Sequence, residues 1–231
     1  PQVPYPHEFV NTWVTVPNSE FRIPCRLESS RRYSDTLIIY AHGERENLFT
    51  CTPTVRGLAD ELQVNVLAYE YSGYGLYPAS STLRSKDGMI ATLEAVVTHA
   101  TTTLGYQYGH ILLWGYSLGC LPVIACATIR PYAGIILQSA FTSTTDVFSD
   151  SSPMVMQSIY EKCLPSWDNR QLVRKVRCDI LVIHGSFDSY VGMDRIRLLG
   201  QDMSRYTLVE TPFNRWNIPL SVLVESYRMW S

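Results

Sequence analysis

Apolar residues run along this chain in short solid blocks, and between them lie stretches that repeat every three to four positions. The blocks Thr36–Ala41, Val64–Tyr71, His110–Gly115, Ala133–Gln138, Ile180–His184 and Tyr206–Glu210 have the length and β-branched content of strands buried on both faces. Met89, Leu93, Val96 or Val97, and Ala100 recur at helical spacing and give one buried face between the second and third blocks. Ahead of them, Phe9–Val16 and Phe21–Glu28 flank Pro17-Asn18-Ser19-Glu20 and read as an antiparallel hairpin. A hairpin followed by alternating strands and helices predicts an α/β fold, a mostly parallel doubly wound sheet with an antiparallel start. In such sheets ligands bind at the carboxyl ends of the strands. Residues 140–170 are irregular and rich in Ser, Thr and Met, and read as a short cap or lid within one domain spanning 1–231.

Composition narrows the class. With 231 residues and 46% hydrophobic content, the chain can bury one sizeable core. A net charge of −2 with 17% charged residues leaves no basic footprint for nucleic acid and no polybasic membrane patch. No apolar run approaches the roughly 20 residues of a membrane span. Cys25, Cys51, Cys120, Cys126, Cys163 and Cys178 lack metal-like spacing and read as reduced thiols of a cytoplasmic protein. The chain starts at Pro1 rather than Met, which fits a processed or trimmed chain. No metal and no cofactor is expected.

Gly115-Tyr116-Ser117-Leu118-Gly119 carries the chemistry. It has a strand in front and a helix, beginning Leu121-Pro122-Val123-Ile124-Ala125, behind. Small residues two before and two after the serine permit the sharp turn of a nucleophile elbow. Ser117 is therefore the candidate nucleophile, and the backbone N–H of Leu118 is placed to meet an oxyanion. Tyr40-Ala41-His42-Gly43 ends another buried strand; the loop after it would supply a second oxyanion N–H, that of Glu44. His42 reads as a residue that holds the loop, with the side chains of Glu44 and Glu46 turned to solvent, since a nearby negative charge opposes an oxyanion. Ile180–Gly185 leads to Asp188, where a carboxylate could orient a base, while His184 reads as strand-end packing. Tyr69-Glu70-Tyr71-Ser72-Gly73-Tyr74-Gly75 follows the second parallel strand and either shapes the pocket or packs the loop.

In order and spacing these four stretches resemble the alpha/beta-hydrolase superfamily, and within it the Bem46-like group that includes the depalmitoylases of alpha/beta-hydrolase domain family 17. The resemblance spans about Phe9 to Trp230. It implies Ser117 as nucleophile, Asp188 as acid, the amides of Leu118 and Glu44 as oxyanion hole, and an ester or acyl-thioester substrate, either a small molecule or an acylated protein. The cysteine cluster through which such depalmitoylases are lipidated has no counterpart in this chain, so membrane attachment would come from a segment outside it.

One part of the pattern is broken. The superfamily places its catalytic histidine in a loop after the last strand, and here that run is Val209-Glu210-Thr211-Pro212-Phe213-Asn214-Arg215-Trp216-Asn217-Ile218. Anchoring on the strand puts Asn214 at the histidine's place; anchoring on the final helix puts Arg215 or Trp216 there. The five histidines, His7, His42, His99, His110 and His184, all precede Asp188. Two expectations follow: a serine ester or thioester hydrolase acting through Ser117 and Asp188 with an unusual base (His42, His184 or a water), or a degenerate pseudo-hydrolase that binds an acyl ligand or a protein partner. Met154, Met156 and Tyr160 in the cap suit an acyl chain.

Overall fold

The structure is a computed structural model, and it describes residues 5–16, 20–80, 82–144 and 167–231. Eight strands form one sheet: β1 (Thr12–Thr15), β2 (Arg22–Glu28), β3 (Leu37–Ala41), β4 (Asn65–Tyr69), β5 (Ile111–Tyr116), β6 (Gly134–Gln138), β7 (Ile180–Gly185) and β8 (Tyr206–Thr211). Their order across the sheet is β1-β2-β4-β3-β5-β6-β7-β8. The first two pairings, β1 with β2 and β2 with β4, are antiparallel, and every later one is parallel. Among the described residues the α-helices are α1 (Leu48–Leu62), α2 (Lys86–Thr102), α3 (Cys120–Ala127), α4 (Asn169–Val173), α5 (Met193–Gly200) and α6 (Leu220–Trp230).

The solid apolar blocks exist because β3 to β7 are covered on both sides. One face sends Ile39, Leu67, Leu113, Leu137 and Val182 into a core with α2 and α3, through Leu93, Val96, Val123 and Ile124. The other sends Ile38, Val66, Leu112, Trp114, Leu181 and Ile183 against α1 and α6, through Val55, Leu58, Leu223 and Val224. β8 lies at the sheet edge and is largely exposed or half-buried, which is why its apolar signal is weaker than that of β7.

The strand expected over Val64–Tyr71 stops at Tyr69; Glu70 N–H still donates to Pro24 O of β2, while its side-chain carboxyl accepts from Leu48 N–H at the start of α1, 2.5 Å away. The first hairpin strand, expected from Phe9, begins only at Thr12, because His7–Phe9 forms a 3-10 turn; the other expected strands hold to within a residue at each end. Most of the stretch expected as a cap, with Met154, Met156, Tyr160 and Cys163, lies outside the described residues. Cys25, Cys51, Cys120, Cys126 and Cys178 are buried free thiols. No helix among the described residues is long and apolar enough to cross a membrane.

Chain order sets where a site can form. From β3 the chain moves to β4 on one side, then returns to place β5 on the other, so β3 and β5 flank a reversal of strand order. The crevice at such a reversal lies beyond the carboxyl ends of the strands. Ala41 and Gly115 are in register there. The loop that begins His42-Gly43 and the turn at Ser117 therefore leave the sheet side by side.

Candidate functional site

Ser117 begins a single tight turn, Ser117–Gly119, between β5 and α3, and its φ is +51°. A left-handed backbone costs a residue with a Cβ about 1–2 kcal/mol, so the surroundings must hold this geometry in place. They do so by close approach. A Cβ on Gly115 would sit 2.7 Å from Cys120 N, and a Cβ on Gly119 would collide with the carbonyl oxygen of Ala41. Ser117 is buried, and its hydroxyl makes no hydrogen bond to a described residue. Leu118 follows in the same turn and is half-buried.

The loop after β3 is fixed by buried groups. His42 is fully buried; its Nδ1 lies 2.9 Å from Gly43 O, and Tyr71 Oη donates to its carbonyl at 2.8 Å. The ring packs on Tyr71 and Tyr74, with centroids 4.4 and 5.4 Å away. Its Nε2 has no hydrogen-bond partner among the described residues and faces Glu70 Oε1 at 3.7 Å. Burial lowers the His42 pKa to about 4 and raises that of Glu70 to about 8, so at neutral pH both are predominantly neutral.

Glu46 departs from the expectation of a solvent-facing side chain. Its Oε2 accepts from Gly43 N–H at 2.9 Å, and burial raises its pKa. Glu44 is exposed, in the turn that follows Gly43.

Asp188 lies in the turn after β7 with its side chain buried. Its Oδ1 accepts from Tyr190 N–H at 2.9 Å and Val191 N–H at 3.1 Å. The third donor is Arg215: its Nε gives Asp188 Oδ2 a 2.9 Å hydrogen bond within a buried ion pair. Of Asn214, Arg215 and Trp216, Arg215 is the residue set against the acid. It is held from several sides. Tyr116 Oη donates to the Arg215 carbonyl at 3.0 Å, Arg215 Nη2 reaches Ser139 O at 3.5 Å, and the guanidinium lies over the rings of Tyr190 and Trp216 at 5.2 and 5.9 Å. Arg45 flanks the ring of Trp216 at 5.0 Å. Gly185 admits this loop, because a Cβ there would strike the carbonyl oxygen of Phe213.

His184 points its Nε2 at Val191 O, 2.9 Å away, with Asp188 Oδ2 at 3.6 Å. Burial lowers its pKa, so it stays neutral at pH 7. Neither His42 nor His184 makes a hydrogen bond to Ser117. Sequence reasoning named Ser117, Leu118, Glu44 and Asp188 but left Arg215 as one of three readings. It gave Glu46 no part in the loop and left the part of Glu70 open. The signal for Glu46 was its spacing, three residues after Gly43, which suits a side chain folding back on a turn.

The fold is the alpha/beta-hydrolase fold. An esterase of Pyrococcus furiosus superposes with a TM-score of 0.78 at 16% identity, covering 100% of this chain and 96% of its own. Est1E from Butyrivibrio proteoclasticus gives 0.72 at 13% identity, covering 95% and 96%. In sequence, the chain is 26% identical over 171 residues to alpha/beta hydrolase domain-containing protein 17B of Homo sapiens, 74% of this chain and 56% of that protein. It is 29% identical over 166 residues to protein 17C of Mus musculus, 72% of this chain and 48% of that protein. The chain thus spans about half the length of the curated relatives it matches. No family model matches it. Fold and relatives together support a hydrolase framework.

Proposed function

We propose that this chain keeps the acyl-binding site of an alpha/beta hydrolase, suited to a carboxylic ester or acyl thioester, while Arg215 closes the triad route to hydrolysis. The observation that carries this reading is the buried Arg215–Asp188 pair. In a triad the acid orients an imidazole, which takes the proton from the serine. A guanidinium cannot accept that proton: it is already charged and has only donors. Asp188 is itself committed to three donors. The rest of the machinery still suits an acyl group, with Ser117 at the strained turn and the amides of Leu118 and Glu44 as the donors proposed for its carbonyl oxygen. The same pocket would take the thioester-linked acyl chain of a protein cysteine, the substrate of the depalmitoylases the sequence resembles.

A second reading has its own observation. The left-handed φ of Ser117 is what a nucleophile elbow needs, which favours Ser117-dependent hydrolysis with a water as base. Turnover of short-chain p-nitrophenyl esters and of a soluble acyl thioester separates the two. The proposal expects no turnover above that of Ser117→Ala; turnover lost in that variant would establish the second reading instead.

A further inference from the structure

We propose that the site prefers the free carboxylate of an acyl chain over its ester or thioester, with Arg215 as the group that makes the distinction. This rests on the acyl-site reading above and specifies the ligand. A guanidinium has five N–H donors. In Arg215 one goes to Asp188 and one reaches Ser139 O, and Nη1 has no partner among the described residues.

The sheet brings those donors to the strand end next to the serine. Tyr116 and Gln138 are register partners in β5 and β6, so the residues that follow them, Ser117 and Ser139, leave the sheet from adjacent strand ends. Arg215 Nη2 touches the carbonyl of Ser139, and the Arg215 carbonyl is tied to Tyr116, the residue before Ser117. The guanidinium thus meets the strand end beside that of the candidate nucleophile, while the backbone of Arg215 is tied to Tyr116. It is also fixed, being 4% exposed and flanked by the rings of Tyr190 and Trp216, so little side-chain freedom remains to be lost on binding.

A permanent cation in the place of a neutral imidazole changes which ligand fits. An ester or thioester carbonyl is neutral and gains one ordinary hydrogen bond from such a donor. A carboxylate gains a charge-assisted bond, roughly twice as strong, together with the Ser117 hydroxyl, which has no partner among the described residues. Asp188 is the opposing charge, and its carboxylate is already offset by two amides and Nε of Arg215. Of the carboxyl groups on the loop side, Glu46 and Glu70 are pushed toward their neutral forms by burial, and the Glu44 side chain is exposed to solvent.

Isothermal titration of the full chain with octanoate and with methyl octanoate at neutral pH tests the preference. Octanoate should bind about tenfold tighter or more. The double variant Asp188→Asn/Arg215→Gln removes both charges while leaving a hydrogen-bonding pair. With its fold checked by circular dichroism, it should bind octanoate no tighter than methyl octanoate. Octanoate binding no tighter than the ester, or equally tight in the double variant, overturns the preference and leaves the acyl site standing. Binding of neither ligand overturns both.

Discussion

Arg215 and Asp188 form a buried ion pair in which Nε donates to Oδ2 at 2.9 Å, with side-chain exposures of 4% and 0%. A pair so desolvated is weak evidence for stability, yet removing one member strands the other charge, at a cost of about 3–5 kcal/mol. Arg215→Ala should therefore destabilise the chain by about that amount in urea unfolding. Asp188→Asn/Arg215→Gln should cost less than Arg215→Ala alone. A loss within about 1 kcal/mol for Arg215→Ala would mean that water reaches the pair.

Ser117 holds a φ of +51° that glycine adopts freely. Ser117→Gly should be more stable than Ser117→Ala by about 1 kcal/mol, since both remove the hydroxyl and only one relieves the backbone. Thermal unfolding of the two variants under the same conditions reads the difference. Equal stability would show that the turn is not strained.

Gly119 packs where a methyl group would meet the Ala41 carbonyl of the neighbouring strand, and backbone cannot give way as a side chain tip can. Gly119→Ala should lower the yield of folded protein or its stability by several-fold more than Gly105→Ala, where the added Cβ meets open space but φ is +81°. Comparable behaviour of the two would contradict the close approach of β3 and the turn.

Stability should depend on pH through Glu70 and His42, with opposite signs. The Glu70 pKa is raised from 4.5 to about 8, so its folded state holds the proton longer. Its contribution is complete below about pH 4.5 and is lost as pH rises through about 8. The His42 pKa is lowered from 6.5 to about 4, so its contribution is present above about 6.5 and is lost as pH falls through about 4. The two trends oppose each other between about 4.5 and 6.5. From about 6.5 to 8 His42 no longer offsets the decline due to Glu70, and Glu70→Gln should make it shallower in unfolding curves taken across that window. A wild-type curve that rises there would contradict the buried, protonated Glu70.

The sheet was legible because β3 to β7 are buried on both faces and leave solid apolar blocks, and because Gly115 and Gly119 bracket Ser117. Arg215 was harder to read for a geometric reason. Between the end of β8 at Thr211 and the start of α6 at Leu220 the chain has no periodicity, so strand and helix gave different anchors. The packing of Gly185 under Phe213, the Tyr116 hydrogen bond to the Arg215 carbonyl and the Ser139 contact of the guanidinium, none of them visible in sequence, accompany the meeting of Arg215 with Asp188. Glu46 and Glu70 were misplaced or left open because a carboxylate in a loop is usually solvated, and their burial depends on backbone donors, Gly43 N–H and Leu48 N–H, that a sequence does not display.

If Arg215 is what silences the serine, replacing it should restore the missing base. Fluorophosphonate labelling of wild type, Arg215→His and Ser117→Ala/Arg215→His measures this directly. The account predicts no label on wild type, label on Arg215→His, and its loss when Ser117 is also replaced. Labelling of wild type at Ser117, abolished in Ser117→Ala, would show an activated nucleophile despite the Arg215–Asp188 pair and contradict the central claim.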